Sequence, residues 1–260
     1  MEVWLVDLDR SAAGLEMIER QCGRLSSEDI ARIAETRAPE LARQRRLSTI
    51  ALRLLIARFA GSGKFDRVAM RRLAGGKPVL DGGGPAFSLA HAGGRALVAI
   101  GDVAAIGVDL EPDRRLRMGP ERQRLLIDAA APLVAGEAQP LDGTARARHG
   151  GDERAALRAW VRLEAYAKAM GAGIGRVLTD RGVIARSRQV GSRGGQSGSA
   201  STERPAVVVR DLQVPADAGG GVWFGAVAVT GEGAEAAMGS LSFDVLPEAA
   251  EALVALTTRA

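Results

Sequence analysis

The chain has 260 residues, 35 of them Lys or Arg against 31 Asp or Glu, for a formal net charge of +4; only three of the cations are lysines, Lys64, Lys77 and Lys168. With 47% hydrophobic residues it can bury a sizeable core, which excludes a wholly disordered chain, and apolar runs such as Ala96 to Ile100 and Val222 to Val229 fall far short of a bilayer span. Aromatics at 3% argue against a base-stacking nucleic-acid binder, and the single cysteine, Cys22, permits no internal disulfide.

Val3 to Leu8 is β-rich and reads as a buried first strand. The opening residues lack the basic-then-apolar layout of a signal peptide, so a cytoplasmic location is expected. Ser26, Ser27 and Glu28 precede an interrupted helical stretch that breaks before Pro39. From Glu40 to Arg58, Leu41, Leu47, Ile50, Leu54 and Leu55 recur at helical spacing, with Arg43, Arg45 and Arg46 on a basic face. The period then switches. Val68 to Leu73, Ala86 to Ala90, Ala96 to Ile100 and Ala105 to Leu110 are predicted as short strands, set apart by glycine-rich turns that suggest antiparallel hairpins. Gly119 to Ala135 is compatible with a helix, and Asp152 is expected to cap a strong helix over Glu153 to Met170 that ends at Gly171 and Gly173. Residues 186–204, rich in Ser, Gly and Arg, read as a mobile surface insertion. Strands return at Ala206 to Leu212 and Val222 to Thr230, and Pro247 to Leu256 closes the chain as a helix. The predicted architecture is α+β. It has two similar, pseudo-repeated lobes, 1–104 and 105–260, each a long helix packed on a small, mostly antiparallel sheet.

Three strings carry chemistry. In Ile106-Gly107-Val108-Asp109-Leu110-Glu111, residues two apart share a face of a strand, so Asp109 and Glu111 present adjacent carboxylates while Leu110 turns to the core. Such a pair invites a Mg²⁺ shared with substrate phosphates, or is a solvated strand edge running into Pro112. In Trp160 to Gly171, Glu164 and Lys168 lie four apart on one helix face, either an ordinary ion pair or a third carboxylate and a phosphate-binding cation. Upstream, Gly76-Lys77-Pro78 fixes a cation in a tight turn. His91 closes a strand before Gly93-Gly94, where backbone N–H groups can turn towards an anion; it reads equally well as a structural histidine. Gly61-Ser62-Gly63-Lys64 is not a phosphate loop, since Phe65 follows the lysine, and with only two histidines a zinc site or serine triad is not expected.

Together, Gly76-Lys77-Pro78, Phe87 to Gly93, Ile106 to Glu111 and Trp160 to Lys168 resemble, in order and interval, the 4′-phosphopantetheinyl transferases of the larger, monomeric, surfactin-synthetase-activating type. The likeness spans roughly residues 40–180, with Val222 to Val229 like the family's late strand. It implies transfer of the phosphopantetheine arm of coenzyme A to a serine of an apo acyl or peptidyl carrier protein, releasing adenosine 3′,5′-bisphosphate. By position, Asp109, Glu111 and Glu164 match the Mg²⁺ ligands, Lys168 the lysine at the diphosphate, and Lys77 and His91 residues gripping the coenzyme's phosphates. Arg45, Arg46 and Arg53 lie where the family has basic residues facing the nucleotide end. Ala90 stands where a serine commonly precedes the histidine, leaving only its backbone N–H for a phosphate, and Leu163 replaces a frequent lysine. Residues 115–159 lack the family's phenylalanine-and-glutamate stretch. Glu164, or a metal-bound water that it orients, is the candidate general base. The resemblance further implies a monomer with no nucleic-acid or membrane partner. The rival readings are a non-catalytic coenzyme A or nucleotide-binding module of the same fold and a basic nucleic-acid-binding protein.

Overall fold

A computed structural model gives the fold and describes residues 1–61, 67–73, 75–134, 150–185 and 206–258. Trp4, Val6 and Leu8 fall on one side of the first strand and Val3 and Leu5 on the other, and all five are buried. That two-sided burial makes β1 (Glu2–Asp7) an interior strand. It pairs antiparallel with β5 (Arg95–Gly101) and parallel with β9 (Ser242–Val245), and β4 (Ala86–Ala92) completes a four-stranded sheet in the order β4-β5-β1-β9. A second sheet has the order β6-β8-β7, with β6 at Ala105–Pro112, β7 at Val207–Leu212 and β8 at Trp223–Thr230. A two-stranded hairpin, β2 (Met70–Arg72) and β3 (Pro78–Leu80), is the third.

The larger sheets share a core. Val3, Leu5, Leu97 and Ala99 from one meet Ile106, Val108, Leu110, Val227 and Val229 from the other. Outside the first sheet lie α1 (Ala12–Cys22), α2 (Ser27–Ala34), α3 (Pro39–Ala60) and α8 (Ala250–Thr258), and outside the second lie α4 (Pro120–Ala130) and α5 (Gly150–Ala169). The short helices α6 (Ile174–Asp180) and α7 (Ala234–Gly239) follow α5 and β8. The described residues thus form a mixed α/β fold with eight α-helices and three small sheets, layered helix, sheet, sheet, helix. The first sheet takes strands from both sides of residue 104, because β9 and α8 come from the far end of the chain.

Local chemistry explains most boundaries. Ser26 caps α2 through a capping box with Asp29. Pro39 opens α3, and Gly61, in the left-handed region, ends it. Helix α5 begins at Gly150, so Asp152 lies within its first turn rather than at a cap. It ends in a Schellman motif, Ala172 N donating to Ala167 O at 2.9 Å and Gly171 N to Lys168 O at 3.2 Å. The expected insertion at 186–204 lies outside the described residues.

Candidate functional site at the seam between the sheets

Asp109 and Glu111 share the face of β6 that looks towards α5, and Leu110, 2% exposed, points into the core between the sheets. Gly107 sets the approach of the helix. A Cβ there would run into the Ala165 carbonyl oxygen and the Ala169 backbone nitrogen, so only glycine lets the α5 backbone lie directly on the strand. The close approach brings Lys168 Nζ to Asp109 Oδ1 at 2.7 Å and to Val108 O at 3.0 Å. Asp109 Oδ2 is buried with no hydrogen-bond partner. Glu164, one turn back, makes no hydrogen bond or ion pair with the described residues, and Glu111 is held side-on by Arg114 at 2.8 and 2.7 Å.

These carboxyls feel one another. Burial raises the pKa of Glu164, and the charge of Asp109 raises it further. Burial pushes Asp109 up as well, against the pull of Lys168.

Strand β6 pairs with β8 along one edge only. Along the other, side chains stand in for a strand. Val108 N donates to Ser88 Oγ of β4 at 3.0 Å, Lys77 Nζ donates to Ile106 O at 2.8 Å and Ala169 O at 3.4 Å, and Lys168 covers Val108 O. Lys77 reaches this seam because the turn between β2 and β3 docks on the end of α5 at Gly75, where a Cβ would overlap the Gly171 carbonyl.

Between α3, the β2–β3 hairpin, β4 and the end of α5 lies a cavity of about 360 Å³. Arg32, Arg45, Arg72, Lys77, Lys168 and His91 line it. Among the described residues its wall holds one carboxylate, Asp29, which is taken up by Arg53 at 2.6 Å and has Arg32 at 3.6 Å. Arg45, Arg72 and Lys77 have no carboxylate partner among the described residues. Burial, with Arg32 and Arg45 close by, lowers the pKa of Arg72, and burial alone lowers that of Lys77 to about 8. His91 is also lowered, by burial first and then by Arg45 and Lys168, and its Nδ1 is buried without a partner. Three of these cations, Arg45, Arg72 and Lys77, lack a carboxylate partner among the described residues, which makes the cavity a candidate site for a multiply charged anion.

The structure therefore brings together Arg45, Lys77, His91 and Lys168 in one cavity, with Asp109, Glu111 and Glu164 around the Lys168 end. It puts two of the expected arginines elsewhere. Arg46 forms a side-on pair with Glu16 at 2.7 and 2.9 Å. Arg53 is 2% exposed and bound to Asp29, Ser26 and the Val68 carbonyl, tying α2 to α3. The reason is helical phase: on α3, Arg45 faces the cavity while positions 46 and 53 face other elements. Ala90 is buried in the core between the sheets, and Leu163 is fully buried beneath α5. Sequence reasoning missed Arg32, Arg72 and Ser88. Arg72 lies five residues before Lys77 in the same hairpin, which is a usable signal; Arg32 has none, since its relevance comes from the packing of α2 on α3.

No protein-family model matches the chain, and no curated protein matches its sequence. Among the described residues no group of three or more His, Cys, Asp or Glu side chains is gathered closely enough to hold a metal ion. Glu111 and Asp109 carry Arg114 and Lys168 instead. The donor chemistry still suits a hard divalent cation: burial raises Asp109 and Glu164, each of which also feels a neighbouring acid, and Asp109 Oδ2 is buried with no partner. No helix of the described residues is long and apolar enough to cross a membrane.

Proposed function

We propose that the chain is a 4′-phosphopantetheinyl transferase, which moves the phosphopantetheine arm of coenzyme A onto a serine of an apo acyl or peptidyl carrier protein. The observation that carries this reading is the cavity of about 360 Å³ lined by five cationic side chains and His91, next to the buried Asp109, one of whose oxygens has no partner. Coenzyme A brings three phosphate groups, which suit the positive charge lining the cavity. The lobes, 1–104 joined by β9 and α8 from the end of the chain, and the remainder of 105–260, are pseudo-repeats that grip the coenzyme in the cleft between them, and the protein acts as a cytoplasmic monomer in lipid, polyketide or non-ribosomal peptide synthesis.

The roles follow from charge. Arg45 and Arg72 bind the nucleotide end with His91, while Lys77 and Lys168 bind the diphosphate. Asp109, Glu111 and Glu164 would hold Mg²⁺, which neutralises the diphosphate when bound. The serine oxygen forms a bond to the phosphorus carrying the pantetheine arm, and the bond from that phosphorus to the bridging oxygen breaks, so adenosine 3′,5′-bisphosphate leaves. Glu164 takes the serine proton, a task suited to a carboxyl whose pKa burial has raised. Lys168 stabilises the charge that moves onto the leaving phosphate.

The test is direct. Purified protein is incubated with coenzyme A, Mg²⁺ and a panel of apo carrier proteins, and intact mass reports which carriers gain the arm. Coenzyme binding with no modified carrier in the panel would leave the binding-module reading. Salt-sensitive retention of nucleic acid without coenzyme binding would leave the nucleic-acid reading.

A further inference from the structure

Arg114 lies two residues beyond Pro112, where the chain leaves β6, and turns back on the carboxylate it has just passed. Its Nε donates to Glu111 Oε2 at 2.8 Å and its Nη2 to Glu111 Oε1 at 2.7 Å, a bidentate pair that engages both oxygens of the carboxylate. Its neighbours are committed elsewhere: Arg115 pairs with Glu153, and Arg154 with Asp113. Arg114 also lies within electrostatic range of Asp109, the other carboxylate on the strand. The acids at the end of β6 thus each carry a cation of the chain's own, Lys168 on Asp109 and Arg114 on Glu111, while Glu164 has neither.

The two cations differ in what holds them. Lys168 is fixed by a second bond, to the Val108 carbonyl, and sits on a packed helix. Among the described residues Arg114 has Glu111 as its one ion-pair partner, and its side chain is 43% exposed, so water can take over its hydrogen bonds when it leaves. We propose that Arg114 is the resident counter-ion of Glu111, which a divalent cation must displace, so that this arginine sets how tightly the carboxylate cluster binds metal. The inference rests on Asp109, Glu111 and Glu164 being the metal-holding set. In the absence of metal Arg114 keeps Glu111 neutralised beside two other acids, and the cluster is stable without a bound ion. Metal binding then becomes an exchange of one cation for another.

The experiment is titration of the full chain with Mn²⁺, read by the loss of free-ion EPR signal, for the wild type, Arg114→Gln, Arg114→Lys and Arg115→Gln. Arg114→Gln is expected to bind Mn²⁺ roughly threefold to tenfold more tightly than the wild type, the range expected for loss of an exposed ion pair. Arg114→Lys, which keeps the charge and loses the fork, should fall between them. Arg115→Gln removes the same charge one residue along and should match the wild type. Unchanged or weaker Mn²⁺ binding by Arg114→Gln overturns the exchange, and an equal gain in Arg115→Gln reduces it to a general charge effect, which overturns it too. If neither the wild type nor Arg114→Gln binds Mn²⁺, the metal-holding role of the three carboxyls falls, and the exchange with it.

Discussion

Under the proposed function Lys77 carries two duties, holding the seam and binding phosphate, that pull its protonation in opposite directions. Burial lowers its folded pKa to about 8, well below the value near 10.5 of a free lysine. Between those values the unfolded chain holds a proton that the folded chain has released, so this residue's contribution to stability rises as pH climbs from about 8 towards 10. Anion binding goes the other way, because a neutral amine no longer attracts phosphate. Affinity for coenzyme A, followed by calorimetry, should therefore fall as pH passes about 8, while the melting temperature of the unliganded wild type should gain relative to Lys77→Met over the same range. Lys77→Met should bind more weakly and lose that pH step.

Glu164 and Asp109 make a related case. Their carboxyls are raised in the fold, so the protonated forms are favoured, and their stabilising contribution is lost as pH rises through the folded values. Glu164→Gln should abolish carrier modification and raise the melting temperature of the metal-free protein, since it removes a repelled charge without removing a bond; a lower melting temperature would contradict this. Asp109→Ala should also abolish transfer but leave Lys168 without its acid. At this scale the sequence was informative where residue type was rare. Two of only three lysines meet at the seam, whereas the arginines were ambiguous, because a guanidinium serves a buried structural pair, as Arg53 does, as readily as a phosphate.

The contact between β6 and α5 is what aligns Glu164 and Lys168 with Asp109. Gly107→Ala puts a methyl group against helix backbone that cannot move aside as a side chain would. It should cost about 1–3 kcal/mol in denaturant unfolding, and reduce transfer beyond that stability loss, because the helix must shift from the strand. Long helices and central strands were legible: α3, α5, β1, β5, β6 and β8 carry either a sustained apolar period or a continuous buried run. Others were not. Helix α1 contains Gly14, placed there because Leu253 of α8 packs against it, and Ser11 makes no capping hydrogen bond. Strand β9 has four residues and exists because β1 offers an edge; nothing within Ser242–Val245 announces that partner.

For the whole molecule, layering decides what can be separated. Leu246 and Leu253 are buried in the core under the first sheet, and β9 covers one edge of β1. A chain ending after Leu241 loses both leucines, each worth about 1.5–3 kcal/mol, and opens that edge. Against a total of about 5–15 kcal/mol this should remove the cooperative thermal transition, even though every cavity-lining residue is still present. The mixed composition of helix and strand was readable from periodicity. The return of the C-terminus to the first sheet was not, because it depends on which edge is vacant after the rest has folded.

The seam has one more consequence. An unpaired strand edge invites a strand from another molecule, and β6 presents such an edge towards β4 with the Ile106 and Val108 carbonyls available. Two inward-pointing ammonium groups and one hydroxyl occupy those positions, so side chains that line the cavity also close the edge to an added strand. A ligand that drew the lysines away would have to satisfy the same carbonyls itself.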